Sequence, residues 1–61
     1  MKITKGINVK MPEPNDTDSW NFGGFWACVE YIKPNGNLIV EDADGDCFEI
    51  EPDRVTVAEN D

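Results

Sequence analysis

The middle of this chain alternates between apolar and polar positions in short bursts. Residues 25–51 read FWACVEYI, KPNGN, LIVED, ADGD and CFEI, then Glu51. Each burst is strand-length, and each break holds a glycine. Upstream, Ile7, Val9 and Met11 point one way while Asn8 and Lys10 point the other. That two-residue period predicts a half-buried strand. Pro12 and Pro14 end it, because proline donates nothing to a ladder. Residues 12–24 (PEPNDTDSWNFGG) have loop composition and are long for a small domain.

The next strand, 25–32, places Ala27, Val29 and Tyr31 on one face, and Trp26, Cys28, Glu30 and Ile32 on the other. Asn35-Gly36 is a strong hairpin signal. As a two-residue loop it pairs Tyr31 with Val40 and Val29 with Asp42, and sets Glu30 against Glu41, an unfavourable match that leaves this register open. The following turn is better determined. A three-residue loop, Ala43-Asp44-Gly45, puts the glycine at the left-handed position of a type I turn with a bulge. Val40 then pairs with Phe48 and Leu38 with Ile50, while Ile39, Glu41, Cys47, Glu49 and Glu51 take the other face. A one-residue slip buries Glu49 beside Val40, so the register is strongly specified. Pro52-Asp53 suits a 3₁₀ turn, and Val55 and Val57 form a last short strand. Five strands are expected, at about 6–11, 25–32, 37–42, 47–51 and 55–57. At 61 residues the chain is one domain, with a core over about 6–57 and an acidic tail at 58–61. Short strands with Gly/Pro turns make an all-β small barrel the expected architecture.

Charge sharpens this picture. The net charge is −8, and all of it lies in residues 41–61. Upstream, Lys2, Lys5, Lys10 and Lys33 balance Glu13, Asp16, Asp18 and Glu30; downstream, Arg54 alone faces nine acids. Such a surface keeps a small protein soluble, repels a phosphate backbone and attracts a basic protein. The N-terminal MKITKGINV lacks the apolar run of a signal peptide, and no stretch approaches the ~20 apolar residues of a membrane span. A cytoplasmic protein without membrane attachment is expected.

The order of elements resembles the SH3-like barrel, and within it the Tudor-like group. The residues that carry the likeness are Gly6 before the first strand, Phe25 opening the second, Ala27 and Val29 within it, V-x-D-x-D-G-D over residues 40–46, and Asp53-Arg54-Val55. The resemblance spans roughly residues 6–57 and implies a five-stranded barrel with a short 3₁₀ turn before the last strand. It further implies an aromatic cage for a methylated lysine or arginine, because aromatic faces attract such cations. Phe25 matches one cage position, and Trp20 or Phe22 supplies a second. The remaining two fall on Glu41 and Asp44, with Asp46 at the polar position after the glycine. Carboxylates beside a half-cage suit an unmodified Lys or Arg side chain.

Other chemistry has little footing. Asp42, Asp44 and Asp46 do not follow calcium-loop spacing, since the glycine falls at position 4 of the run rather than 6. Cys28 and Cys47 would sit on strands separated by a third, about 10 Å apart, beyond the ~7 Å a disulfide spans; two free thiols are expected. With no histidine and only these cysteines, neither a usual zinc site nor the common general base is present. No cofactor and no catalysis are expected. The leading reading is a non-enzymatic module that holds a basic segment of a partner protein through Trp20, Phe22, Phe25, Glu41, Asp44 and Asp46. One alternative is an acidic mimic of nucleic acid, which would tolerate Trp20→Ala and fail in high salt. Another is a structural subunit or homodimer built on an outer-face patch of Trp26, Ile32 and Ile39.

Overall fold

A computed structural model describes residues 3–57; the acidic tail expected at 58–61 lies outside them. The protein is all-β. Strands β1 (Asn8–Lys10), β2 (Trp26–Ile32), β3 (Leu38–Glu41), β4 (Cys47–Ile50) and β5 (Thr56–Val57) form one antiparallel sheet, with a 3₁₀ turn at Pro52–Arg54. The order across the sheet is β4-β3-β2-β1-β5. Among the described residues no ladder joins β4 to β5, so the barrel expected from the sequence is not closed. Nor is any described helix long and apolar enough to cross a membrane.

The core follows the alternation. Val9, Met11, Ala27, Val29, Leu38, Val40 and Ile50 are buried, and Ile3, Ile7, Phe25, Phe48, Val55 and Val57 pack around them. Full burial of such side chains contributes about 1.5–3 kcal/mol each, which dominates the register choice. The β3–β4 hairpin has the expected pairing, Val40 with Phe48 and Leu38 with Ile50. Asp42 N–H donates to the Asp46 carbonyl at 2.9 Å, and Gly45 N–H to the Asp42 carbonyl at 3.1 Å. Gly45 has φ +88°, a value that residues with a β-carbon rarely adopt.

The β2–β3 hairpin differs from the two-residue expectation. Its loop is Pro34-Asn35-Gly36: Lys33 N–H donates to the Asn37 carbonyl at 2.8 Å and Gly36 N–H to the Lys33 carbonyl at 2.9 Å. Proline explains the choice. In a two-residue loop Pro34 would have to donate a ladder bond it lacks; here it occupies the first corner of a type I turn, where its fixed φ fits. Ile32 then pairs with Leu38 and Tyr31 with Ile39. An unbroken ladder would next bring Glu30 opposite buried Val40. Instead the register shifts between Val29 and Tyr31, and Val29 meets Val40. Glu30 is the extra residue of a bulge that restores apolar parity. Tyr31, expected inside with Val29, is therefore 53% exposed.

Candidate functional site

The long loop between β1 and β2 is fastened at its root. Met11 N–H donates to the Phe25 carbonyl and Gly24 N–H to the Met11 carbonyl, both at 2.8 Å. The Trp20 indole N–H donates to the Pro12 carbonyl at 2.9 Å. Further round, the Arg54 guanidinium reaches the Asp18 carboxylate with both terminal nitrogens, at 2.8 and 3.2 Å. It also lies 5.6 Å from the centre of the Trp20 ring. Asp18 additionally accepts from the Asn15 backbone N–H at 2.7 Å. Arg54 chiefly, then this backbone donor, holds the Asp18 carboxyl below its usual range. Trp20 is only 5% exposed. It belongs to the core, because the loop folds back over it, so of the two residues offered for the second cage position only Phe22 is exposed.

The residues that follow Trp20 line a groove of about 480 Å³ against the β3–β4 turn. The loop contributes Trp20, Phe22 and Phe25, β4 contributes Phe48, and the turn contributes Asp42, Asp44 and Asp46. Phe22 and Phe25 have ring centroids 5.1 Å apart, and Phe25 and Phe48 are edge-to-face at 6.2 Å. Trp20 meets the Phe48 ring edge-to-face at 5.7 Å. Such offset and edge-on pairs are the favourable aromatic geometries. Asp42 is occupied by the turn: its Oδ1 accepts the N–H groups of Asp44 at 3.0 Å and Asp46 at 2.9 Å. The Asp44 and Asp46 carboxylates have no hydrogen-bonding or ion-pair partner among the described residues. Both flank the aromatic cluster with uncompensated negative charge.

The outer face of the sheet has a different character. Glu41 stands between Cys28 on β2 and Cys47 on β4. Both thiols are free. Burial first, then the carboxylates of Glu41, Glu30, Asp42 and Asp46, pushes the Cys47 thiol up, which keeps it protonated and weakly nucleophilic. Among the described residues no three His, Cys, Asp or Glu side chains converge to hold a metal ion. The Glu30 carboxyl beside Glu41 raises the latter's pKa above its ordinary 4.5, with burial and Asp42 adding to the effect. A carboxyl whose proton affinity is higher folded than unfolded penalises folding once it ionises. The penalty is absent below pH 4.5 and complete above the raised folded value. Glu30→Gln should therefore raise the melting temperature at pH 7 and lose that advantage at pH 4. Melting curves at the two pH values check this; an unchanged or lower temperature at pH 7 would contradict the clash.

The expected site residues are thus partly assembled. Trp20, Phe22, Phe25, Asp44 and Asp46 line the same groove. Glu41 does not; it lines a separate hollow on the outer face with Trp26 and Cys28. The outer patch is also rearranged. Ile32 pairs with Leu38 and so shares its side of the sheet, and Tyr31 takes the place beside Ile39. The cause is the bulge at Glu30. Phe48 is the groove-lining residue that the sequence concealed. Alternation put it in the core beside Val40, but it sits one residue inside β4, next to the turn, where the core opens into the groove. Compared with known proteins, the chain matches no family model, no curated protein and no solved structure.

Proposed function

We propose that this chain is a non-enzymatic interaction module whose groove receives a cationic side chain from a basic segment of a partner protein. One observation carries the reading: the rings of Phe22, Phe25 and Phe48 cluster beside the carboxylates of Asp44 and Asp46, which have no partner among the described residues. Aromatic faces attract cations, and an arginine or lysine brings an apolar stem to cover the rings and a charge for the carboxylates. The chain already contains a smaller version of this chemistry, since Arg54 sits against Trp20 with its charge on Asp18. The resemblance to Tudor-like domains agrees with the reading. Phe48 adds a ring that the sequence likeness did not count.

The test uses a variant that leaves the core alone. Phe22 is 64% exposed, so Phe22→Ala should fold as the wild type does. It should weaken binding of an arginine-containing peptide by about 2- to 30-fold, the range of one cation–π contact of roughly 0.5–2 kcal/mol. Calorimetric titration of wild type, Phe22→Ala and the Asp44→Asn/Asp46→Asn double variant measures it. Affinity undiminished from wild type in both variants would overturn the proposal. Binding that ignores Phe22→Ala but vanishes in high salt would point to charge mimicry of nucleic acid.

A further inference from the structure

The groove does not stop at the aromatic cluster. Phe22, Phe25, Asp42 and Asp44 are shared with an adjoining hollow of about 200 Å³, which adds Trp26 and Ala43. Trp26, Asp42 and Ala43 in turn line the outer-face hollow of about 270 Å³, together with Glu41 and Cys28. The depressions form one path around the β3–β4 turn, from the mouth of the core to the outer face of the sheet. Phe25, just before β2, and Trp26, its first residue, both line the hollow that joins the two ends of the path.

Trp26 is 49% exposed, and its indole N–H has no hydrogen-bond partner among the described residues. The carboxylates met along the path are Asp46, Asp44, Asp42 and Glu41, with Glu30 against Glu41. Lys10 is opposite Trp26 on β1 and makes no ion pair with a described carboxylate. A run of one sign of charge interleaved with exposed rings fits an extended chain of the opposite sign.

Resting on the groove reading above, we infer that the partner segment is extended and carries two basic side chains. The first enters the Phe22–Phe25–Phe48 cluster. The second crosses the turn and lies between Trp26 and Glu41. The turn separates the two positions, so the spacing of the basic residues decides whether both engage at once. When both do, the second binding event becomes intramolecular and affinity rises without any change in the first contact.

The experiment compares a single-arginine peptide with two-arginine peptides whose arginines are separated by one to four glycines. At least one spacing should bind the wild type about tenfold more tightly than the single-arginine peptide, and shift the Trp26 indole N–H resonance. Trp26→Ala and, separately, Glu41→Gln should remove that gain and keep the single-arginine affinity within about twofold. Phe22→Ala should weaken every peptide. If no spacing improves on one arginine, or if Trp26→Ala retains the gain, the second contact is wrong and the groove reading stands. If Phe22→Ala changes nothing, the groove reading itself fails. The indole resonance in the wild type keeps the test decisive should Trp26→Ala not fold. Sedimentation that shows a dimer protecting Trp26 would assign this surface to a second copy of the chain and overturn the inference.

Discussion

Trp20→Ala is expected to leave a large fraction of the protein unfolded at 25 °C. A domain of 61 residues has a total stability of roughly 3–9 kcal/mol at the usual 0.05–0.15 kcal/mol per residue. Truncating a buried tryptophan costs about 3–5 kcal/mol. The indole also satisfies the Pro12 carbonyl, and it supports the Phe48 ring and the Arg54 guanidinium. One deletion therefore removes core volume, a loop anchor and the backing of the groove. A urea titration followed by circular dichroism should show the midpoint falling by about a third or more. Trp20→Phe keeps most of the ring and loses the hydrogen bond, so its loss should be smaller, about 1–2 kcal/mol. A wild-type midpoint for Trp20→Ala would contradict its place in the core. Trp20→Ala consequently cannot separate a stacking site from charge mimicry, because binding would be lost with the fold; Phe22→Ala can.

The second large effect is expected at Gly23. A β-carbon built there falls 2.5 Å from the Glu13 nitrogen, 2.7 Å from the Glu13 Cα and 2.7 Å from the Pro12 carbonyl carbon. All three are backbone atoms, so no side-chain rotation relieves the clash. The two ends of the long loop must part, and the Gly24 N–H to Met11 carbonyl bond with them. Forcing an extra carbon into a packed site costs about 1–3 kcal/mol or more, and Gly23→Ala should sit at the top of that range. It should also weaken the basic peptide, since Phe22 and Phe25 flank the displaced segment. Chemical denaturation and peptide titration of the one variant report both effects. The contrast is Gly36, where a β-carbon meets nothing within 4 Å and the constraint is φ +93° instead. Wild-type stability for Gly23→Ala would mean that the loop does not cross itself this closely.

The local code was legible wherever one parity was far better than the other. Between Val40 and Phe48, a glycine suited to a left-handed corner and a set of apolar residues at even spacing admit a single register, with Glu49 outside. Between Val29 and Val40 two local signals compete. Asn35-Gly36 favours a two-residue loop, and Pro34 forbids it. Satisfying the proline would have pointed Glu30 inward, and only the bulge reconciles them; that outcome depends on Val29 and Val40 meeting across the core. The likeness to Tudor-like domains pointed to Phe25, Asp44 and Asp46, which do share a groove. Of its other positions, Trp20 and Phe22 line that groove too, while Glu41 lies round the turn on the outer face; Phe48, which the likeness did not include, lines the groove as well.

By itself, then, the order of residues determined the strands, the glycine corners, the 3₁₀ turn and the concentration of acid near one hairpin. These depend on contacts between near neighbours and on which face an alternating side chain takes. Tertiary structure alone decided whether the aromatics of residues 20–25 are core or surface. That outcome rests on Trp20 reaching Pro12, Arg54 reaching Asp18 across 36 positions, and Gly23 lying against the backbone of Pro12 and Glu13. Each is a meeting of segments with no shared period, so no local pattern encodes it.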